Sequence, residues 1–408
     1  MRQITGAVFT KAKSVMNWTP MDYRLFICIV LINLYGVVMI YSASYYFCGK
    51  SADCNYDAAY LFKNQTMWVI LGIAVMLFMS MIDYHLWRKI ILLGLAACVA
   101  MSVALRIPRV GISVNGATRW IRIGGFSLQV AEPIKAILIY WMAHYIARYR
   151  VNRLGNTAGY VISIVAISGF LGKMSNNMSV VIIIWLIAAV MFFVSNPGWK
   201  RYGILIAIAL AAVAVVILYV LSVEITDDTS FRIVRIRAWL DPSVDTNASF
   251  QPQNALYAIG SGGIWGKGLG QSLQKYMIPE PQNDFILAII SEELGLVGVT
   301  ALLSLFLYLL YRIVKIVRNA PDLLGKFLAA GVFLHIAIQT VMNVAVVTNA
   351  IPTTGVTLPF VSAGGTAAFF MLVELGLVMS VDKFSKQKKA ESSARKKARE
   401  ESLYGTDL

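Results

Sequence analysis

Windows of roughly twenty apolar residues, the length of helix needed to cross a hydrocarbon core, recur along this chain from one end to the other. About ten can be placed, centred near Leu34, Val75, Cys98, Ile139, Val165, Leu186, Ala211, Leu305, Ile336 and Leu372. The fifth is shortened by Gly169, Gly172 and Lys173. Lipid offers no hydrogen bonds to a backbone, so such segments are restricted to helices that satisfy their own polar groups. The expected fold is therefore all-α: a polytopic membrane protein of about ten transmembrane helices, with a large outer loop between the seventh and eighth. Composition agrees, since 58% of the 408 residues are hydrophobic and only 14% charged.

The N-terminal stretch through Arg24 is too polar for a cleaved signal peptide, so the first apolar run is expected to stay in the membrane. Orientation follows from lysine and arginine in short loops. An even number of spans puts both termini on one side, together with Lys11, Lys13, Arg24, Arg88, Lys89, Arg148, Arg150, Arg153, Lys200, Arg201, Arg312, Lys315, Arg318 and Lys326. That side is expected to be the cytoplasm. The chain then divides into an N-terminal cytoplasmic segment (1–23), a transmembrane domain (24–382) containing the outer loop (223–284), and a basic cytoplasmic tail (383–408) that is disordered or loosely helical near anionic lipid. The net charge of +15 is spread over these loops and the tail, as headgroup contacts and topology signals require, and nucleic acid is not an expected partner. Four cysteines and three histidines show no metal-ligand spacing; Cys48 and Cys54 fall in the first outer loop, where a disulfide and two free thiols are both open.

The exceptions to the charge rule carry functional information. Segments 106–130 and 223–284 must lie outside, yet they hold Arg106, Arg109, Arg119, Arg122, Arg232, Arg235, Arg237, Lys267 and Lys275. An anionic ligand at the outer face accounts for them, because guanidinium forks match phosphate oxygens. Pairing with Glu224, Asp227, Asp228, Asp241 and Asp245 is the structural alternative. The loop after the seventh span is far longer than a connection needs. It includes FRIVRIRAWLDP, which fits an amphipathic segment in the membrane interface, and a cluster from Gly260 to Gly270 that serves tight turns, close approach to a ligand or a hinge.

Ionisable groups beside or within spans are costly and are paired or functional. Glu132 and Lys135, three apart on one helix face, begin the fourth span and can pair with each other. Glu292 and Glu293 sit near the start of the eighth span, where the helix macrodipole favours them in a structural role. Asp284 differs: it follows IPEPQN and precedes FILAII, at the membrane surface. It is either an N-cap or a general base tuned by a neighbouring lysine in a partly desolvated cleft. Gln339 and Asn343, four apart on the ninth span, precede the charge-free run IPTTGVTLPFVSAGGTAAFF, which contains Ser362. That run reads as a re-entrant turn lining a cavity or as close helix packing through Gly364, Gly365 and Ala367. Gln339, Asn343 and Ser362 are candidates for substrate contact.

Taken together, NGATRWIRIGGFSLQVAEPIK (115–135), VRIRAWLDP (234–242), IGSGGIWGKGLG (259–270), PEPQNDFILAIISEELGLVG (279–298) and LPFVSAGGT (358–366) resemble the SEDS family (FtsW, RodA, SpoVE), as does YSAS (41–44) in the first span. The resemblance covers nearly the whole chain apart from its tails. The Asn283–Asp284 pair looks more like FtsW and SpoVE than RodA. The chain departs from the family pattern at Val130 and Ala131 before Glu132, at Ala363, and in KMSNNMSVV between the fifth and sixth spans.

The resemblance implies an inverting peptidoglycan glycosyltransferase that polymerises lipid II at the outer face of the bacterial cytoplasmic membrane into β-1,4-linked strands. It also implies a class B penicillin-binding protein transpeptidase and the division or elongation machinery as partners. Asp284 corresponds to the family's essential acid, and Glu132 and Lys135 to its fourth-span motif. Asp284 would act as base; Lys135, or Arg109, Arg119 and Arg122, would hold the pyrophosphate or set the protonation state of Asp284. No cofactor is called for, and a divalent cation would suit the pyrophosphate although no Asp-rich cluster offers ligands. A lipid II flippase and a non-catalytic scaffold for a transpeptidase are the competing readings.

Overall fold

The computed structural model describes residues 22–114, 117–124, 126–149, 154–195, 203, 214–215, 217–222, 231–243 and 245–404. Helices occupy the apolar windows. They are α1 (Tyr23–Lys50), α2 (Tyr60–Met81), α3 (Ile91–Ala104), α4 (Ala131–Tyr149), α5 (Leu154–Ser175) and α6 (Met178–Ser195), and, after the long loop, α9 (Ile286–Asn319), α10 (Leu323–Val347) and α11 (Gly365–Tyr404). Seven of these are long and apolar enough to cross a membrane. At 14 residues, α3 is short for that task, rising about 21 Å. The window centred on Ala211 lies largely outside the described residues. Gly169 and Gly172 do not interrupt α5, because Gly172 lets Val181 of α6 pack directly on its backbone. The basic tail is helical to Tyr404, as a continuation of α11.

The segment around residues 111–129 adds what the all-α expectation did not contain: a three-stranded antiparallel sheet, β1 (Gly111–Val114), β2 (Ala117–Ile123) and β3 (Phe126–Gln129). Its pairing sets Trp120 opposite Ile112 and Gln129, and Ile121 opposite Gly111 and Leu128. The reason is visible in ATRWIRI, where Thr118, Trp120, Ile121 and Ile123 supply the β-branched and aromatic residues that strands favour. The stretch before α9 contributes α7 (Phe231–Leu240) and α8 (Thr246–Gly262), the latter capped by Asp245 through the amides of Asn247 and Ala248. Cys48 and Cys54 form a disulfide that closes the turn after α1.

In the core, α11 lies along α2, and α10 packs between α4 and α9. Small residues allow the close approaches: a Cβ on Gly36 of α1 would lie 2.5 Å from the Phe360 carbonyl oxygen, and one on Gly365 would meet the Trp68 ring. The charge-free run after α10 folds inward, with Val356, Leu358, Phe360, Val361 and Ser362 all buried. It is irregular backbone enclosed by protein and is tightly packed at Gly365, which supports the close-packing reading.

Helix α9 is broken at Gly295, whose φ of 65° and ψ of −164° are non-helical. The glycine-rich segment docks on that break. The Lys267 and Gly268 amides donate to the carbonyls of Glu292 and Glu293, and the Leu296 and Val297 amides donate to those of Gly263 and Ile264. A Cβ on Gly266 (φ 78°) would sit 2.2 Å from the Glu293 carbonyl oxygen. These glycines serve backbone-to-backbone contact rather than a hinge or a ligand.

Glu292 and Glu293 are fully buried and hold the same segment with their side chains. Glu292 accepts from Lys267 Nζ at 2.6 Å, from the Ser272 hydroxyl, and from the amides of Leu273 (3.2 Å) and Gln274 (3.1 Å). Glu293 accepts from the Ser42 hydroxyl at 2.6 Å and lies 3.6 Å from Lys275 Nζ. Their role is structural, as expected, but it works by gathering donors from the loop. The macrodipole argument does not apply, because no acidic residue lies in the first turn of α9.

Candidate active site

Asp284 is the second-last residue before α9 and is held from two sides. Phe285, which occupies the N-cap position without a side-chain cap, is completely buried and anchors the chain. The Asp284 carbonyl accepts a 2.7 Å hydrogen bond from Asn343 Nδ2, which also donates to the Val356 carbonyl at 2.8 Å. Its carboxylate therefore does not cap α9, so the N-cap reading is set aside. The carboxylate lies beside Gly355, where an added Cβ would be 3.9 Å from Oδ2 and where a φ of 68° favours glycine.

The loop opposite Asp284 is fixed by the polar residues of α10 and their neighbours. Gln339 Nε2 donates to the Thr357 carbonyl at 3.0 Å, the Ser179 hydroxyl to that of Thr354 at 2.6 Å, and the Leu358 amide to Ser362 Oγ at 2.7 Å. The Ala363 amide donates to the Gln282 carbonyl at 2.9 Å, which ties this loop to the segment carrying Asp284. Gln339, Asn343 and Ser362 are thus buried and engaged with backbone, where they shape the wall of the site.

Lys135 and Glu132 form a buried ion pair at 3.0 Å, and Lys135 Nζ also donates to Gln339 Oε1 at 3.2 Å. Lys135 reaches the site through Gln339 and Thr357. The cations whose charge reaches Asp284 are Arg235 of α7 and Arg119 of β2. Burial pushes the Asp284 carboxyl up; Arg235 and Arg119 pull it back, and Glu280 adds to the rise. Arg119 is itself half-buried, with its guanidinium pKa lowered by burial and by Arg235 and Arg232, and its Nε has no hydrogen-bond partner among the described residues. The charges of Arg235 and Arg119 thus both act on one carboxylate, an arrangement that favours an anionic ligand, while Arg232 donates to the carbonyl and side-chain oxygens of Asn176.

The other predicted arginines lie elsewhere. Arg122 is exposed, and β alternation puts it on the face of β2 opposite to Arg119. Arg109 is exposed in the turn before β1, with a φ of 69°. Arg106 donates to the Lys173 carbonyl, and Arg237 to the carbonyls of Val220 and Leu221. Arg235 belonged to the basic outer set in the sequence without being singled out; the period of α7 puts it one turn from Arg232, and that spacing is the signal that could have found it. Glu280 was also not singled out. It has a φ of 48°, a left-handed conformation uncommon outside glycine, and its carboxylate accepts from Asn283 Nδ2 at 2.6 Å. Among the described residues no three His, Cys, Asp or Glu side chains gather as a metal site would need, and the arginines around Asp284 do not suit a cation.

Fold and site define a class: a multi-helix membrane protein with an arginine-flanked, partly desolvated carboxylate at one end of its helices. The chain belongs to the FtsW/RodA/SpoVE family, whose model, described as "Cell cycle protein", matches residues 23–387. It is 37% identical over 373 residues to the stage V sporulation protein E of Bacillus subtilis, covering 90% of this chain and 98% of that one. It is 35% identical to a probable peptidoglycan glycosyltransferase FtsW of Trichlorobacter lovleyi, over 88% of this chain and 92% of the relative. Among solved structures, a chain of a peptidoglycan synthase complex that couples polymerization and crosslinking superposes with a TM-score of 0.73 at 22% identity, covering 91% of this chain and 100% of the other. RodA of Thermus thermophilus superposes with a TM-score of 0.64, also at 22% identity, over 90% of this chain and 97% of that one.

Proposed function

We propose that this protein is a peptidoglycan glycosyltransferase that polymerises lipid II at the outer face of the cytoplasmic membrane, with Asp284 as the general base. The observation that carries the reading is the placement of Asp284: its backbone is fixed by Asn343 and Phe285, its carboxylate is not used as a cap, and the charges of Arg235 and Arg119 act on it. The reaction asks for such a site. A sugar hydroxyl of one lipid-linked molecule attacks the anomeric carbon of another, the C–O bond to the polyprenyl pyrophosphate breaks with its electron pair, and the hydroxyl proton passes to the base. Arg119 and Arg235 would hold the departing pyrophosphate, and their charge is worth more in a partly desolvated site than in water. In-line attack on an α-linked donor gives a β-linked product.

Lys135 and Glu132 would serve as positioning residues, acting through Gln339 on the loop that faces Asp284. No residue of this chain is assigned to a divalent cation. Relatives named for peptidoglycan glycosyltransferase activity and a fold shared with a synthase complex support the reading, and they favour a class B penicillin-binding protein transpeptidase as partner. The topology rule puts both termini in the cytoplasm. Reconstitution of the purified protein with labelled lipid II and a partner transpeptidase tests the assignment. Polymer formation is expected; transbilayer movement of lipid II without polymer would identify a flippase, and neither activity would leave a scaffold.

A further inference from the structure

A cleft of about 540 Å³ opens between the end of α1 and the segment that runs into Asp284. One wall carries Tyr46 and Lys50; the other carries Tyr276, Met277 and Glu280. Both walls are pre-organised. The Cys48–Cys54 disulfide ties down the end of α1, and the buried Lys275 fastens the facing segment by donating to the Gly270 carbonyl at 2.6 Å. Tyr46 and Tyr276 meet edge to face at 4.5 Å between ring centres, yet they remain 39% and 50% exposed, and Met277 is 56% exposed. Lys50 lies over the Tyr46 ring at 4.2 Å. Lipid tails do not explain these exposed rings, because Lys50 and Glu280 border the same space and charged groups do not face hydrocarbon.

We propose that this cleft binds the saccharide of the growing glycan strand, just beyond its reacting end. The inference rests on the function proposed above and extends it to a subsite. Exposed aromatic rings on rigid backbone offer flat apolar faces to the C–H faces of sugar rings, while the Lys50 ammonium, which donates to the Tyr46 hydroxyl, keeps further protons for hydroxyl and carboxylate substituents. The cleft also lies within a short stretch of chain from Asp284. Glu280 at its edge is four residues from Asp284, a stretch that spans at most about 14 Å, and the hydrogen bonds from Asn283 to Glu280 make it shorter. A polymer retained beside the base after each coupling is returned to it for the next, so occupancy of the cleft lengthens the product.

The test has two arms. In the first, a photo-crosslinking amino acid replaces Met277 in the full-length protein, and purified uncrosslinked glycan oligosaccharides are the probe. Muramidase-sensitive label at position 277, lost when Tyr46→Ala and Tyr276→Ala are combined, is expected. In the second, Tyr276→Ala is expected to shorten strands severalfold when chain lengths are compared at equal lipid II consumption, with Tyr276→Phe, which keeps the ring, like wild type. Tyr276→Leu, which keeps bulk but lacks a ring, is expected to follow Ala; this guards against misfolding as the cause. No glycan label together with unchanged strand length, or label on a protein instead of glycan, overturns the proposal. If wild type labels with glycan but makes no polymer, the glycosyltransferase reading falls while the saccharide cleft stands.

Discussion

The side-chain amide of Asn343 is shared between the backbone carbonyls of Asp284 and Val356, at 2.7 and 2.8 Å, and so joins the segment carrying the candidate base to the loop that faces it. Asn343→Leu keeps the volume but removes both bonds, leaving two buried carbonyls unpartnered at about 1–3 kcal/mol each. Polymerisation is expected to fall by at least tenfold with membrane insertion intact, measured as lipid II consumption by the purified variant. Wild-type turnover would show that Asp284 is positioned without this residue.

Lys135 is placed by the structure in an ion pair with Glu132 and in contact with Gln339, with no direct contact to Asp284. Lys135→Met leaves a buried carboxylate without its partner, which costs about 3–5 kcal/mol. Thermal stability and turnover are expected to drop together. The double variant Glu132→Gln, Lys135→Met is expected to recover most of the stability, as a double-mutant cycle on melting in detergent would record. Strict additivity of the two single losses would argue against a pairing role.

Burial holds the Asp284 carboxyl above its ordinary value of 3.8, while Arg235 and Arg119 pull it down. A base works only when deprotonated, so activity is expected to fall as pH drops through this raised value, with the acid limb above the usual carboxylate range. Arg235→Gln removes a cation that favours the charged form and should move that limb to still higher pH. A pH–rate profile of kcat/KM checks both, and a limb that Arg235→Gln leaves in place would dissociate the arginine from the carboxylate.

At the other end of the helices, His85 bridges Asp83 (2.7 Å) and Asp322 (3.1 Å). Its hydrogen bond to Asp322 raises it above 6.5, against the effect of burial and with help from Asp83. Burial would raise Asp322, but the bonds from His85, Tyr84 and the Gly325 amide outweigh it and hold that carboxyl below its ordinary 3.8. The histidine's contribution to stability is complete below about 6.5 and is lost as pH rises through the raised value. The Asp322 contribution is present above its ordinary value and is lost only in strong acid. The melting temperature should therefore decline from pH 6 to pH 9, and His85→Gln should flatten that decline; an unchanged slope in the variant would contradict the clamp.

How much of this was legible in the sequence depended on range. Apolar windows placed nine of the helices because burial in lipid leaves the backbone one solution. The β-branched and aromatic residues of ATRWIRI favour a strand, but so short a stretch without strict alternation does not separate a strand from a loop. Asp284 stood out because prolines and an apolar helix flank it, whereas its partners did not, since Arg119 and Arg235 are 165 and 49 residues away and meet it only in the fold. Lys135 drew attention as an intramembrane cation, and only the contacts with Glu132 and Gln339 show that its charge is already engaged. Glycines 262, 266 and 295 have no periodicity to read; their need is a tertiary contact between two backbones.

The most direct measurement is glycan synthesis by purified Asp284→Asn, which keeps shape and hydrogen bonding but cannot take a proton. With labelled lipid II and the partner transpeptidase supplied, we expect no polymer from a variant that inserts and melts like wild type. Normal glycan strands from that variant would contradict the assignment of Asp284 as the base.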